Sequence, residues 1–199
     1  MKIYKSVDEA VLKEIHKVLD NDGLIIFPTD TVYGIACNAF SDKAINKLFQ
    51  AKKRDFNKPI GVLTDSLPKI NLVVSNINEK EKELIKKYFP GNLTIIFDKK
   101  EDVSDLLTSN QKTIGVRIPN HEIALKILKS YPYPLATSSA NLSNAKEVTE
   151  IKDIYDIFKD SVDIFIDGGV CKDIPSTIIR VEEDKIHILR EGSLKIIDK

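Results

Sequence analysis

The chain has 199 residues, of which 42% are hydrophobic and 30% are charged. This composition is typical of a globular protein and excludes a largely disordered one. Lys and Arg together number 30 and are balanced by 30 Asp and Glu, so the formal net charge is zero. A dedicated nucleic-acid binder usually carries a basic excess, so the balance argues against that class but leaves room for a local basic pocket. We expect one compact domain over residues 1–199.

The N-terminus lacks the apolar core of a signal peptide, and no apolar run approaches the roughly 18 residues of a membrane helix. We therefore expect a cytoplasmic protein without a membrane partner. Cys37 and Cys171 lie far apart and lack C-x-x-C spacing, so we expect buried free thiols rather than a zinc site or a redox pair.

The first helix is predicted by apolar residues that recur on one helical face up to Asn21-Asp22-Gly23, with Ser6 and Glu9 as its capping box. Leu24 to Phe27 then predicts a buried strand. This strand ends in a proline followed by small polar side chains and a tyrosine, within the stretch Phe27-Pro28-Thr29-Asp30-Thr31-Val32-Tyr33-Gly34.

Polar atoms at the end of a buried strand need hydrogen-bond partners, and a bound ligand is one way to supply them. The alternative is a turn that satisfies its own backbone, which Thr and Asp do routinely. Local chemistry favours neither interpretation.

Ser41 can cap a second helix, at whose end Lys52-Lys53-Arg54 follows. Lys52 comes four residues after Leu48 and thus lies on the apolar side, where an inward lysine needs a protein carboxylate or a bound anion. In the other interpretation, Lys52 extends its amino group to solvent and its neighbours are solvated at a helix C-terminus, where cations are favoured. Spacing alone favours this second interpretation.

The remaining pattern alternates strands and helices. Strands are predicted at 59–63, 93–97, 114–118, 162–166, 177–181 and 186–190, the last two as a hairpin around Glu183-Asp184. Helices are predicted after the caps Asn78 and Asn120 and over 150–159, whereas 98–110 is a loop or a short helix. The fold class is α/β with a mixed sheet.

Common nucleotide and hydrolase motifs are absent from the sequence. It contains no G-x-x-x-x-G-K-[ST], no G-x-G-x-x-G and no G-x-S-x-G. Any nucleotide must therefore be held without a P-loop or a Rossmann cradle. The three histidines fall within predicted helices and a strand, where structural or surface roles are expected.

PTDTVYGI resembles the signature of the Sua5/YrdC/YciO family, and further motifs of that family recur in order along nearly the whole chain. They are Lys52-Lys53-Arg54 for K-x-R, Pro90-Gly91-Asn92-Leu93-Thr94 for P-G-x-x-T, Arg117-Ile118-Pro119 for R-x-P, Ser139-Ala140-Asn141 for S-x-N, Asp167-Gly168-Gly169, Pro175-Ser176-Thr177 and Ile188-Leu189-Arg190. The resemblance implies a YrdC-like single domain, with a twisted mixed β-sheet flanked by helices around a large basic cavity.

The resemblance also implies a short, single-domain enzyme, a nucleotidyltransferase acting as L-threonylcarbamoyladenylate synthase. Such an enzyme joins L-threonine, bicarbonate or CO2, and ATP into threonylcarbamoyl-AMP and releases pyrophosphate. A tRNA threonylcarbamoyltransferase would receive the product for t6A modification, so tRNA is only an indirect partner. Mg2+ is expected with ATP, held through phosphate oxygens and water rather than by a protein metal site. Asp30 is either a contributor to that ion or a turn residue.

The roles of individual residues follow from the same resemblance. Lys52 and Arg54 are the catalytic candidates, which would offset carboxylate, carbamate and phosphate charge. Thr29, Thr31 and Tyr33 would shape the threonine pocket. The nucleotide, including its phosphates, would contact Arg54, Arg117, Ser139, Asn141, Ser176 and Arg190, with Ser139 and Asn141 alternatively orienting the carbamate.

Three positions depart from the family pattern. Asn144 stands where a glycine is frequent, Arg180 where an acidic residue is frequent, and Leu63 where many members carry histidine. Two other functions stay open. One is an RNA-binding or ribosome-associated YciO-like protein, and the other is a carbamoyl-adenylate-handling domain that acts on a different amine.

Overall fold

The computed structural model describes residues 2–146, 148–171 and 174–196. In this part of the chain, helices and strands interleave as expected for an α/β protein. The strands are β1 Lys2–Tyr4, β2 Ile25–Phe27, β3 Gly34–Asn38, β4 Gly61–Leu63, β5 Leu93–Asp98, β6 Thr113–Arg117, β7 Leu135–Ser139, β8 Ile164–Ile166, β9 Thr177–Glu182 and β10 Lys185–Arg190. The helices are α1 Glu9–Asp20, α2 Asp42–Ala51, α3 Leu67–Ile70, α4 Glu79–Tyr88, α5 Asp105–Thr108, α6 Glu122–Ser130 and α7 Ile151–Phe158.

The described strands form one sheet in the order β1-β8-β2-β3-β7-β4-β6-β5-β9-β10. Strand β8 pairs in parallel with β1 and β2, and the pairs β4–β6 and β5–β9 are also parallel. The pairs β2–β3, β3–β7, β4–β7, β5–β6 and β9–β10 are antiparallel. The predicted mixed α/β sheet and the predicted final hairpin are thereby confirmed.

Strand β2 is buried on both faces, which explains its uninterrupted apolar sequence. Ile25 and Phe27 pack into a cluster that includes residues of α1 and α6, whereas Ile26 belongs to a second cluster that includes residues of α2 and α7. The motif that follows Phe27 therefore leaves the sheet from its most deeply buried part.

The other half of the sheet is covered on one face only. In β5, Leu93, Ile95 and Phe97 are buried, whereas Thr94 and Ile96 are half-buried. Because successive side chains of a strand point to opposite faces, this alternation leaves one face of β4, β6, β5 and β9 accessible. That face forms the floor of a cleft.

Two helix starts differ from the predicted ones. Helix α1 begins after Asp8, whose carboxylate accepts the Val11 N–H at 2.9 Å, so the predicted Ser6 cap lies two residues too early. Helix α6 begins after His121, not after Asn120, and makes no side-chain cap bond. The predicted caps Ser41 and Asn78 are confirmed, the second as a complete capping box with Glu81.

Cys37 and Cys171 are both buried and free, as expected. Among the described residues, no helix combines the length and the apolarity that crossing a bilayer requires.

Thr108 offers a test of packing far from the cleft. Its side chain is fully buried at the end of α5, and its hydroxyl has no hydrogen-bond partner among the described residues. An unsatisfied buried hydroxyl costs about 1 to 3 kcal/mol, so Thr108→Val, which keeps the shape, is expected to raise the free energy of unfolding by about 1 kcal/mol. Urea unfolding followed by circular dichroism measures the difference, and a destabilised variant would contradict this account.

Candidate functional site

A cleft of about 290 Å³ opens on the accessible face of the sheet, beside the ends of β2 and β7. Seven of the ten predicted site residues line it: Thr29, Thr31, Arg54, Arg117, Ser139, Ser176 and Arg190. Tyr33, Lys52 and Asn141 are buried outside its lining. The volume lies at the lower end of the range for small-molecule sites, so the predicted large basic cavity stays a prediction.

The hydroxyls of Thr29 and Thr31 bond to each other inside the loop that follows β2. Their oxygens are 3.0 Å apart, and Thr29 donates to the Val32 carbonyl at 2.6 Å. The Thr31 N–H donates to Thr29 Oγ1 at 3.2 Å. The loop thus satisfies much of its own polarity, as the turn interpretation proposed, and still presents both threonines to the cleft.

Arg117 joins this loop to the segment after α4. Its Nη1 donates to Thr31 Oγ1 at 2.9 Å, its Nε donates to the Gly91 carbonyl at 2.9 Å, and its Nη2 forms an ion pair with Asp30. The side chains of Arg117 and Asp30 are 8% and 13% exposed, so the pair is buried together. Burial lowers the pKa of Arg117, and the Asp30 carboxylate opposes that shift.

Tyr33 supports the loop from behind. Its hydroxyl donates to the Gly169 carbonyl at 2.6 Å and accepts the Gly168 N–H at 3.0 Å. Burial raises the pKa of this hydroxyl to about 12, so it stays protonated at neutral pH. Tyr33 therefore holds the Asp167-Gly168-Gly169 turn against the motif.

Lys52 lies at the end of α2 and is 1% exposed. Its amino group donates to the carbonyls of Ser139 and Asn141, the latter at 2.6 Å. The interpretation that spacing alone favours, with the amino group of Lys52 extended to solvent, is therefore wrong: the side chain points inward, and its partners are backbone carbonyls rather than a carboxylate. The amino group therefore binds the backbone of the S-x-N segment from its buried side.

Ser139 and Asn141 are bonded to each other. The Ser139 hydroxyl donates to Asn141 Oδ1 at 2.5 Å, and Asn141 Nδ2 donates to the carbonyls of Leu142 and Ala145. Asn141 thereby closes a turn, while Ser139 lines the cleft.

Arg54 approaches the cleft from the loop after α2. Its guanidinium donates to the carbonyls of Lys58 at 3.0 Å and Pro59 at 2.9 Å. Burial lowers the pKa of Arg54, but an arginine starts so far above neutrality that its charge is retained. Arg54 thus places a positively charged side chain in the lining of the cleft.

The far wall of the cleft contains Ser176 and Arg190. Arg190 donates to the Ser176 carbonyl through Nε at 3.2 Å and Nη2 at 2.9 Å. The Ser176 hydroxyl lies 2.8 Å from the hydroxyl of Thr94. At this wall, Thr94 of β5 and Arg190 of β10 are therefore both bonded to Ser176, the residue before β9.

Two glycines on neighbouring strands leave part of the cleft floor without side chains. A Cβ at Gly61 would lie 3.0 Å from the Gly115 carbonyl oxygen, and one at Gly115 would lie 3.1 Å from Ile96. Side chains at these positions would fill the floor. A second groove of about 470 Å³ continues past Arg190 and shares this floor.

The side chains around the cleft offer few ligands for a protein-bound metal ion. The described residues contain no group of three or more His, Cys, Asp or Glu side chains that could hold one. Asp30, the candidate acidic residue, is committed to Arg117. A divalent ion here would have to rely on ligand oxygens and water.

Several residues of the lining are not among the predicted site residues, and Leu63, Thr94 and Thr137 are three of them. Thr94 lay within the quoted P-G-x-x-T motif and alternates with the buried Leu93 and Ile95. Strand alternation could have placed it on the accessible face. Leu63 lines the cleft at a position where many family members carry histidine.

The fold and the cleft define an α/β protein with a candidate small-molecule site whose lining includes hydroxyl side chains and arginines. Residues 17–192 match the Sua5/YciO/YrdC family model, described as "Telomere recombination". The chain therefore belongs to the Sua5/YciO/YrdC family.

Two curated relatives and one solved structure carry more specific names. A putative threonylcarbamoyl-AMP synthase of Methanocaldococcus jannaschii is 38% identical over 98% of this chain and 94% of its own length. A threonylcarbamoyl-AMP synthase of Pyrococcus abyssi is 34% identical over 87% of this chain, which spans about half (51%) of that relative. The crystal structure of P. abyssi Sua5 complexed with L-threonine superposes with a TM-score of 0.92 and 31% identity, covering 98% of this chain and 58% of that one.

Proposed function

We propose that this protein is an L-threonylcarbamoyladenylate synthase. It would condense L-threonine, bicarbonate or CO2, and ATP into threonylcarbamoyl-AMP and pyrophosphate, which makes it a nucleotidyltransferase. The observation that carries the proposal is the convergence of Thr29, Thr31, Arg54 and Ser139 on one cleft, in a chain whose relatives bear that enzyme's name. The relatives' names do not favour the RNA-binding alternative.

The reaction requires opposite charge and protection from water. The threonine amine would form a carbamate, a carbamate oxygen would attack the α-phosphorus of ATP, and pyrophosphate would leave. A recessed cleft aligns the reactants and slows loss of the labile carbamate. No covalent intermediate with the protein is needed.

The residues divide into those that would touch substrates and those that would hold the walls. Arg54 and Arg190 would contact substrate oxygens, since guanidinium groups make paired bonds to carboxylates and phosphates. The amino group of Lys52 donates to the carbonyls of Ser139 and Asn141 and thereby supports the S-x-N segment. Lys52 stays a catalytic candidate, and its effect would pass through this segment. Ser139, Asn141 and Ser176 stay candidates for the nucleotide side.

Mg2+ would arrive with ATP, bound by phosphate oxygens and water. The product would pass to a tRNA threonylcarbamoyltransferase, so tRNA would be an indirect partner. A cytoplasmic location and a single domain over residues 1–199 stay predictions.

The test is pyrophosphate release by the purified protein with ATP, Mg2+, bicarbonate and L-threonine. We expect release in the complete mixture and loss of it when L-threonine is withheld, with threonylcarbamoyl-AMP identified by mass spectrometry. L-serine lacks one methyl group and should react about 10- to 200-fold less efficiently. Pyrophosphate release that does not depend on the amino acid would contradict the proposed function.

A further inference from the structure

Two loops from distant parts of the chain meet beside the cleft. The first rim loop, residues 55–58, lies between Arg54 and Pro59, and both of these flanking residues line the cleft. The second rim loop, residues 142–146, follows the S-x-N segment, whose Ser139 lines the cleft. Each rim loop therefore continues directly from a part of the lining.

A hydrogen bond between side chains joins the two rim loops. The amino group of Lys58 donates to Asn144 Oδ1 at 2.8 Å, and the two residues are 86 positions apart in the sequence. Both residues are exposed, so water competes for each partner. A bond of this kind favours the joined state by only about 2- to 12-fold. The two loops can therefore separate and rejoin while the core stays folded.

The first rim loop is tied to the cation of the lining. The guanidinium of Arg54 donates to the carbonyls of Lys58 at 3.0 Å and Pro59 at 2.9 Å. The Phe56 ring stacks on Phe49 of α2, with 4.7 Å between the ring centroids. Because Lys58 and Arg54 are bonded to each other, a movement of the loop moves both residues.

The second rim loop is held on either side of Asn144. The Ser143 N–H donates to the Lys52 carbonyl at 3.0 Å, and Asn141 Nδ2 donates to the Ala145 carbonyl at 2.8 Å. These bonds fix the backbone near the end of α2. The Asn144 side chain is thereby presented to the first rim loop from an anchored backbone.

The backbone of Asn144 explains which residues this position accepts. Its φ is 66°, in the left-handed region that glycine adopts freely and that asparagine tolerates. A glycine, which is frequent here in the resembled family, would meet the same backbone requirement but would bring no side chain. Asparagine keeps the conformation and adds the amide oxygen that Lys58 contacts. The bond between the loops is therefore separable from the backbone conformation.

We propose that the bond between Lys58 and Asn144 is a clasp that closes the cleft between Arg54 and Ser139, and that its opening admits and releases ligands. This inference goes beyond the proposed function, because the clasp belongs to the rim loops whatever the ligand is. A closed clasp joins the wall that carries Arg54 to the wall that carries Ser139. An open clasp lets the first rim loop move outward.

A gate of this kind has a kinetic signature. A ligand that does not touch the clasp has no differential affinity for its open and closed states, so the clasp cannot change the equilibrium affinity. Passage in both directions depends on the fraction of molecules whose clasp is open. A weaker clasp therefore raises the association and dissociation rate constants by the same factor.

Amide hydrogen exchange, followed by NMR in the protein without ligand, tests the clasp itself. Asn144→Gly removes the side chain and keeps the left-handed backbone. We expect the N–H groups of Asn57 and Lys58, which are both bonded to Asp55 within the first rim loop, to exchange about 2- to 12-fold faster. These residues are remote in sequence from the substitution, so the effect must pass between the loops. Unchanged exchange at both residues would overturn the inference.

Two further variants control this experiment. Asn110→Gly removes an exposed asparagine side chain from a backbone with a φ of 63°, outside the lining of the cleft, and should leave the exchange of Asn57 and Lys58 unchanged. Asn144→Asp replaces the amide by a carboxylate that pairs with Lys58, so exchange should slow, and less so at high salt. Equal acceleration by Asn110→Gly, or acceleration by Asn144→Asp, would contradict the clasp.

Stopped-flow binding of methylanthraniloyl-ATP tests the gate. We expect Asn144→Gly to raise both rate constants about 2- to 12-fold and to leave Kd within about twofold of the value for the unmodified protein. A change in Kd as large as the change in a single rate constant would mean that the side chain acts on the bound nucleotide. Unchanged rate constants would mean that the clasp does not limit passage. Either result would overturn the inference.

The clasp and the proposed function fail in distinguishable ways. If the unmodified protein releases no pyrophosphate from the complete mixture, the proposed function falls, whereas hydrogen exchange without substrate still decides whether the clasp exists. If the unmodified protein releases pyrophosphate and Asn144→Gly matches it in exchange and in both rate constants, only the clasp falls.

Discussion

Lys52→Ala is expected to abolish pyrophosphate release and to lower the free energy of unfolding by about 3 kcal/mol. The change empties the space of a long side chain that is 1% exposed, and such truncations cost about 2 to 5 kcal/mol. It also removes the donor to the carbonyls of Ser139 and Asn141. Because Ser139 lines the cleft, the loss of that support should displace one wall of the proposed substrate site.

Urea unfolding and the pyrophosphate assay measure the two effects in the same preparation. Lys53→Ala is the matched control, since Lys53 is the next residue, carries the same charge and is exposed. It should leave both measurements close to those of the unmodified protein. Lys52→Met, which fills the space but donates nothing, should recover most of the stability and little of the activity. An active Lys52→Ala protein of normal stability would contradict the account.

The sequence predicted those strands that have a local apolar pattern. It did not predict strands that depend on pairing with strands elsewhere in the chain. Strand β2 and the final hairpin follow from apolar runs and alternation. Strand β3 was missed because its glycine, alanine and asparagine have low strand propensity, and it is formed by pairing with β2 and β7. Strand β1 was missed because two of its three residues are exposed and its partner, β8, lies more than 150 residues away in sequence.

Seven of the ten predicted site residues line the candidate cleft, but their arrangement was not predictable. Lys52 and Arg54 are two residues apart, yet one supports the wall from behind and the other lines the cleft. Between them, Lys53 has a left-handed φ of 49°. Lysine rarely adopts this conformation, so the sequence gives no sign of the turn that separates the two side chains. The helical spacing placed Lys52 on the apolar side of α2 but favoured an amino group that reaches solvent, and it left Arg54 undetermined.

The spacing of residues in the sequence also could not predict the hydrogen-bond and ion-pair partners of Arg117. Strand alternation and the R-x-P motif locate Arg117 at the end of β6, but its ion-pair partner Asp30 follows a different strand earlier in the chain. Local chemistry left Asp30 as either a metal contributor or a turn residue. Only the folded arrangement shows its carboxylate to be paired with a buried cation.

Arg54→Ala should separate catalysis from stability, in contrast to Lys52→Ala. Arg54 lines the cleft, and its guanidinium bonds the carbonyls of Lys58 and Pro59, two exposed residues. Those carbonyls can turn to water when the guanidinium is removed, so the free energy of unfolding should fall by less than about 1 kcal/mol. The value of kcat/KM should fall about 100- to 1,000-fold, the usual effect of losing one preorganised donor to a developing negative charge.

Steady-state kinetics with varied L-threonine and varied ATP, together with urea unfolding, would measure these effects. Arg54→Lys retains the charge but loses the planar pair of donors, so it should recover only part of the rate. Lys53→Ala again controls for the loss of one positive charge near the cleft. If activity and stability both fall in Arg54→Ala, the role of Arg54 would be to support the cleft wall, as proposed for Lys52. A fall in activity at unchanged stability is the result expected of a cation that faces the reacting oxygens.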